Sequence, residues 1–205
     1  AIQNLFSSVS YSLELSLLIG NIFAFASSPK GRYTLTLEKV ESHSSQIRQF
    51  WFRPLTKLVF KPGQYMEWTL PHSSPDNRGI RRWFTISSSP TEDMVLLTTR
   101  LSEPSSTFKQ ALQKLEPGQE ITAVNVDGDF TLPDHPTPKI IFIAGGIGIT
   151  PFRSMVKYLL DTDTRLDITL FYGARNPEDF VFNDLLLTAD GNGVKTIFVP
   201  AEANS

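Results

Sequence analysis

The sequence predicts two domains in series: an antiparallel β-barrel, then an α/β domain with a doubly wound parallel sheet. Three observations carry this prediction. From Arg32 onward, short apolar and β-branched runs alternate with turn residues, about six strands in roughly a hundred residues, as in a small barrel. After the proline-rich joint Pro133 to Pro138 the rhythm changes to strand–helix. That second part opens on Ile140-Ile141-Phe142-Ile143-Ala144, an unbroken apolar run of the kind buried on both faces of a parallel sheet. The expected bounds are an apolar segment and linker over 1–31, a barrel over 32–135 and an α/β domain over 136–205.

Composition narrows the function classes. A net charge of −2 over 205 residues argues against nucleic acid as a partner. The chain has no cysteine, which excludes disulfides, thiolate catalysis and a cysteine-ligated cluster within it. His43, His72 and His135 are far apart, read as solvated loop residues, and predict no metal site.

Leu13 to Ala26 is strongly apolar but interrupted by Glu14, Ser16, Gly20 and Asn21, and a membrane span needs about 20 apolar residues. It reads either as an amphipathic helix packed on the domain or as the end of a membrane segment whose earlier part is missing. Ser27 to Gly31 is a linker by composition. Strands are expected at Tyr33–Val40, Ile47–Phe52, within Leu58–Trp68, Trp83–Ser87, Met94–Leu101 and Ile121–Val126. The loop Pro71 to Gly79 is polar and expected to be mobile. A helix is expected over Phe108–Leu115, capped by Ser105, Ser106 or Thr107 and stopped by Pro117-Gly118. In the second part, strands are expected at Lys139–Ala144, Leu166–Tyr172 and Thr196–Val199, with helices at Pro151–Leu160 and Phe180–Leu187. Three strands are few for this architecture, so the α/β domain is expected to be C-terminally incomplete.

Two stretches carry chemistry. Gly145, Gly146 and Gly148 follow the first α/β strand and lead into Thr150-Pro151, an N-cap followed by a residue suited to a first helical position. Strand, glycine turn and helix N-terminus together suit a phosphate, because free N–H groups and the helix dipole converge there; the plain alternative is a turn with no ligand. The second stretch is Arg81-Arg82-Trp83-Phe84-Thr85. An arginine fork suits a diphosphate, and Phe84, two positions on, shares its face and offers a ring for stacking. The plain alternative is a barrel strand with core aromatics and exposed arginines.

The combination resembles the ferredoxin–NADP reductase superfamily. The matching features are Arg82-Trp83-Phe84-Thr85, the Pro62-Gly63-Gln64-Tyr65 turn, Gly128-Asp129-Phe130, and Gly145-Gly146-Ile147-Gly148-Ile149-Thr150-Pro151, in that family's order. The likeness covers Arg32 to about Val199. It implies a flavin-binding barrel, a pyridine-nucleotide domain and hydride transfer at their cleft. Residue by residue it implies that Arg82 holds the flavin diphosphate, Phe84 packs on the flavin and Thr85 bonds near its N5, with Trp83 inside the same segment. Arg100 resembles a basic residue of the second flavin segment, and Ser105, Ser106 and Thr107 a phosphate turn. Glu103 or Pro104 stands where the family usually has a glycine. Gly145, Gly146, Gly148 and Thr150 resemble the nicotinamide–pyrophosphate loop. Arg175, at the end of the second α/β strand, suits a 2′-phosphate and so NADPH, while the nearby Glu178 and Asp179 favour NADH.

The resemblance thus implies a reductase taking hydride from NADPH or NADH onto FAD, with FMN the lesser choice. Electrons then pass to a separate iron–sulfur protein, a quinone or a domain of a longer parent. A membrane domain N-terminal to the chain would place it at the cytoplasmic face. Transmembrane ferric reductases and superoxide-generating oxidases share that layout but typically carry His-Pro-Phe-Thr in place of Arg82-Trp83-Phe84-Thr85, so a bacterial-type module is implied first. The alternative is a flavin- or nucleotide-binding electron-transfer or regulatory module without turnover of its own.

Overall fold

The computed structural model describes residues 13–23, 31–135 and 139–201. The chain divides into two compact units, Ala1–Gly31 and Arg32–Ser205. In the first, residues 13–23 form helix α1. Among the described residues no helix is long and apolar enough to cross a membrane. The remainder of the expected apolar segment, most of the linker after it, and 136–138 of the proline-rich joint lie outside the described residues.

The second unit opens with an antiparallel sheet of six strands: β1 Tyr33–Ser42, β2 Ile47–Pro54, β3 Tyr65–Thr69, β4 Arg81–Thr85, β5 Val95–Arg100 and β6 Glu120–Asp127. Their order is β4-β3-β6-β1-β2-β5. Just past β4, Ser87 N–H donates to the Leu96 carbonyl of β5 at 2.8 Å, so the sheet curls until its two edges meet. Side chains alternate as a one-sided sheet requires. Leu35 and Leu37 of β1, Phe50 and Phe52 of β2 and Met66 and Trp68 of β3 fill one core. Fully burying side chains of this size contributes about 1.5–3 kcal/mol each. Helix α2 (Thr107–Gln113) adds Phe108 and Leu112 to that core, and of the three predicted caps Ser106 is the one used: its hydroxyl accepts from Lys109 N–H at 3.3 Å.

Gly63 explains why the Pro-Gly-Gln-Tyr turn and the Gly-Asp-Phe segment occur together. Its φ is +100°, and a Cβ there would lie 2.1 Å from the Phe130 carbonyl oxygen. The two segments touch backbone to backbone, which only a residue without a side chain permits.

The second sheet is parallel, β7 (Ile140–Gly145), β8 (Ile168–Ala174) and β9 (Val194–Pro200), in that spatial order. Helix α3 (Thr150–Asp161) and helix α4 (Asn183–Thr188) connect them. Right-handed crossovers between consecutive neighbouring strands put both helices on one side. Phe142, Leu170 and Tyr172 accordingly face Phe152, Met155 and Leu186 in a second core. Ile141, Ile143 and Phe171 point the other way and are exposed, so among the described residues the expected winding covers only one face. The predicted helix Phe180–Leu187 is shorter and starts later. Phe182 takes a left-handed φ of +67°, and the buried Tyr172 hydroxyl accepts from Val181 N–H at 3.0 Å, holding that segment out of helical geometry.

Helix α3 also ties the two sheets together. Arg153, 6% exposed, donates through both terminal nitrogens to Glu92 and through Nη1 to the Ser87 carbonyl. Its guanidinium also lies 5.6 Å from the Trp51 ring centroid and 5.7 Å from that of Phe182. The Ser154 hydroxyl donates to the Ser88 carbonyl at 2.6 Å. No sequence pattern marked Arg153 or Glu92, because the two are far apart in the chain and only the docking of α3 on the barrel joins them.

Candidate functional site

The carboxyl ends of parallel strands are where an open α/β sheet receives ligands. Here the ends of β7, β8 and β9 meet the end of β5 in a cleft of about 740 Å³, lined among others by Gln46, Arg100, Gly145, Gly146, Gly173 and Arg175. The glycine run does turn sharply: Gly146 has φ +50° and begins a 3-10 turn through Ile149. That turn runs straight into α3, so Thr150 is already helical and buried rather than the cap that the sequence predicted. A Cβ on Gly145 or Gly148 would meet nothing within 4 Å, and one on Gly146 would approach only Arg100 Nη2, at 4.0 Å. The backbone of this loop is therefore open to a close-lying ligand, which fits a pyrophosphate.

Arg100 crosses from the barrel to this loop. Its Nη1 donates to Gln46 Oε1 at 3.0 Å, and its Nη2 lies 3.0 Å from Asp179 Oδ2. The Asp179 side chain is 4% exposed and committed to that pair. Of the two acidic residues that favour NADH, only Glu178 is therefore free to face solvent. Arg175 is exposed at the rim of the cleft and makes no ion pair among the described residues. Tyr172 of β8 is fully buried, and burial pushes its hydroxyl up to about 12.

The Arg82 segment lies along β4. Pairing with β3 places Phe84 opposite Met66, and Arg82 opposite Trp68, on the core face. The Phe84 ring is half-buried, 5.7 Å from the Phe108 ring, and the Arg82 guanidinium stands 5.6 Å from the same ring. Trp83 is on the outer face, 51% exposed and edge-on to Tyr65 at 5.3 Å. The more exposed aromatic of this strand is thus Trp83, while Phe84 shares the face of Arg82. Thr85 is half-buried and pairs with Tyr65 across the strands.

Arg82 is almost fully engaged. Nη1 donates to the carbonyls of Arg78, Gly79 and Arg81 at 3.0, 2.9 and 2.6 Å, and Nη2 to both carboxylate oxygens of Asp76 at 2.7 and 2.9 Å. Among the described residues its Nε is buried with no partner, as is the Ser105 hydroxyl. Such orphaned donors suit an anionic ligand. The loop Pro71–Gly79, expected to be mobile, is pinned: Asp76 N–H donates to Thr107 Oγ1 at 3.0 Å, and His72 Nε2 lies 3.1 Å from the same hydroxyl. His72 is therefore not the solvated residue that the sequence predicted. Hydrogen bonds from Arg78 and Arg82 hold the Asp76 carboxyl down at about 2, against the opposing effect of desolvation.

Comparison with known proteins agrees with the two-domain fold. The profile of the oxidoreductase NAD-binding domain matches residues 142–202. The reductase subunit of glycine betaine monooxygenase from Chromohalobacter salexigens is 31% identical over 156 residues, 75% of this chain and 42% of that protein. A cytochrome P450 reductase of Amycolatopsis superposes with a TM-score of 0.71 at 24% identity, over 83% of this chain and 52% of the other. A ferredoxin NADP+ reductase of Neisseria gonorrhoeae, crystallised with FAD and NADP, superposes at 0.70 with 21% identity, over 85% and 70%. The fold is the two-domain fold of these solved structures, an antiparallel barrel sheet followed by a parallel α/β sheet. These likenesses support the ferredoxin–NADP reductase superfamily. It spans less than half the length of the curated relative above.

Proposed function

We propose that this chain is the flavin- and nucleotide-binding part of a reductase that takes hydride from NAD(P)H and passes electrons to a separate acceptor. The observation that carries the reading is the cleft in which the open glycine loop of the α/β sheet meets Arg100 of the barrel. The names of relatives support it, since the glycine betaine monooxygenase homologue is a reductase subunit. An oxygenase-type protein is the acceptor class we favour, ahead of a quinone or a membrane-bound domain.

In this reading a bound FAD supplies the conversion of two-electron to one-electron transfer. Arg82 and the Ser105-Ser106-Thr107 turn hold its diphosphate, and the Thr85 hydroxyl lies beside the reacting ring. Trp83 or Phe84 gives the ring an apolar neighbour, and the exposure of Trp83 favours the former. Gly145, Gly146 and Gly148 bring backbone N–H groups to the nicotinamide pyrophosphate at the start of α3. Arg175 favours a 2′-phosphate and so NADPH, because it is exposed while Asp179 is tied to Arg100.

The experiment is a visible absorption spectrum of the protein incubated with FAD, taken before and after anaerobic addition of NADPH and then NADH. Bleaching of the flavin band, faster with NADPH, is expected. A bound flavin that neither coenzyme bleaches would reduce the reading to a binding module. Absence of any bound flavin would overturn it.

A further inference from the structure

Arg82 and Thr107 come from the two segments that the proposed function assigns to the flavin diphosphate, and one residue already bridges them. Asp76 donates its N–H to Thr107 Oγ1 at 3.0 Å and sets both carboxylate oxygens on Arg82 Nη2, at 2.7 and 2.9 Å. A carboxylate set with both oxygens on an arginine nitrogen offers the same chemistry as two oxygens of a diphosphate. We propose that Asp76 is an internal competitor for the diphosphate site, so that the loop Pro71–Gly79 must swing away from Arg82 before a dinucleotide cofactor binds there. This rests on the reading of Arg82 as the diphosphate anchor.

The count of donors makes the two occupants mutually exclusive. Nη1 is spent on three backbone carbonyls and Nη2 on Asp76, leaving only the buried Nε. Arg82 is only 12% exposed and Asp76 21%, so a phosphate has no second approach to Nη2 while the carboxylate is in place. The loop is also built to hold this position and to leave as a unit. Asp76 accepts from Arg78 N–H at 2.9 Å, and its carbonyl accepts from Gly79 N–H at 2.8 Å, which makes a local turn that needs no support from the barrel. Its anchors outside the loop are Arg82, which also takes the Arg78 and Gly79 carbonyls, Thr107 through Asp76 N–H and His72, and the Phe108 ring, edge-on to His72 at 6.4 Å.

A competitor of this kind filters ligands by charge. A compound without phosphate gains nothing by displacing Asp76, whereas a dinucleotide replaces one charge-assisted contact with another. Flavin mononucleotide and dinucleotide are thereby separated by how well each repays the loss of the Asp76 pair.

The test is calorimetric titration of the wild-type chain and of Asp76→Asn, Asp76→Ala and Arg82→Ala with FAD, ADP and riboflavin. Asp76→Asn keeps the side chain's size and one acceptor oxygen, and removes its charge and the second acceptor. It is expected to tighten FAD and ADP by about tenfold, equivalent to about 1.4 kcal/mol, and to leave riboflavin unchanged. Unchanged or weaker FAD binding by both Asp76 variants overturns the proposal and makes Asp76 a residue that merely positions Arg82. Stopped-flow binding to the wild-type chain gives a second reading that needs no variant. The observed rate should level off with FAD concentration at the rate of loop opening, and a linear rise throughout overturns the proposal. Failure of the underlying reading looks different: Arg82→Ala would then bind FAD as tightly as the wild type does.

Discussion

Arg153→Met tests whether a buried ion pair, rather than apolar contact alone, fastens the α/β sheet to the barrel. The side chains of Arg153 and Glu92 are 8% and 17% exposed, and they join through both arginine nitrogens. Removing one partner of such a pair strands the other charge away from water, at a cost of about 3 kcal/mol or more. The variant also loses the bond to the Ser87 carbonyl and the stacking on Trp51 and Phe182. For a unit of this size each kcal/mol shifts Tm by about 2–4 °C, so a fall of roughly 6–12 °C is expected. Urea and thermal unfolding followed by Trp51 emission read the change, because that ring lies against the guanidinium. Glu92→Gln keeps an acceptor for the Ser89 N–H, which donates to Glu92 at 2.6 Å. The double variant Arg153→Met/Glu92→Gln then isolates the charge coupling, expected at about 1 kcal/mol or more. A coupling below about 0.5 kcal/mol, or a Tm fall under about 2 °C for Arg153→Met, would refute the assignment.

Three further outcomes follow from the same geometry. Tyr172→Phe removes a hydroxyl that accepts from Val181 N–H and donates to the Asp179 carbonyl, and should cost about 1 kcal/mol at neutral pH in urea melts. Since the hydroxyl is raised from 10.0 to about 12 in the fold, its contribution is complete below pH 10 and is lost as pH climbs through 12; the phenylalanine variant should lose that step of alkaline unfolding. Gly63→Ala adds a methyl 2.1 Å from the Phe130 carbonyl oxygen at a φ of +100°, and should destabilise the chain by at least about 2 kcal/mol; a cost near zero would show that the two turns do not pack as described. Arg175→Glu is expected to move coenzyme preference toward NADH, read as the ratio of anaerobic bleaching rates with the two coenzymes; an unchanged ratio would remove Arg175 from the specificity site.

The barrel-then-α/β order, nearly all of the strands and the glycine loop were legible in the sequence, because each is written in local terms. Alternation with period two marks β1 and β2, a continuous apolar run marks β7, and glycines mark the sharp turns. Local pattern also misled at definite places. Thr150 looks like a cap, yet the 3-10 turn from Gly146 makes it part of the helix. Phe180 to Phe182 looks helical, yet the Tyr172 hydroxyl and the left-handed Phe182 hold those residues apart from α4. The polar loop Pro71–Gly79 looks mobile, yet Thr107 and Arg82 pin it.

What the sequence determined by itself was which backbone shapes the chain adopts and which family's motifs it carries, since propensity, turn chemistry and motif order act over a few residues. Only the tertiary structure decided what each charged side chain spends its hydrogen bonds on. Arg82 meets Asp76, Arg100 meets Asp179, and Arg153 meets Glu92. In the last two pairs the partners lie far apart in the chain, so neither contact exists until β5 is set against the α/β sheet and α3 against the barrel. Asp76 is a near neighbour of Arg82, but its place at Thr107 depends on where α2 packs. Burial then gives these pairs their weight, because a charge removed from water must find its partner within the fold.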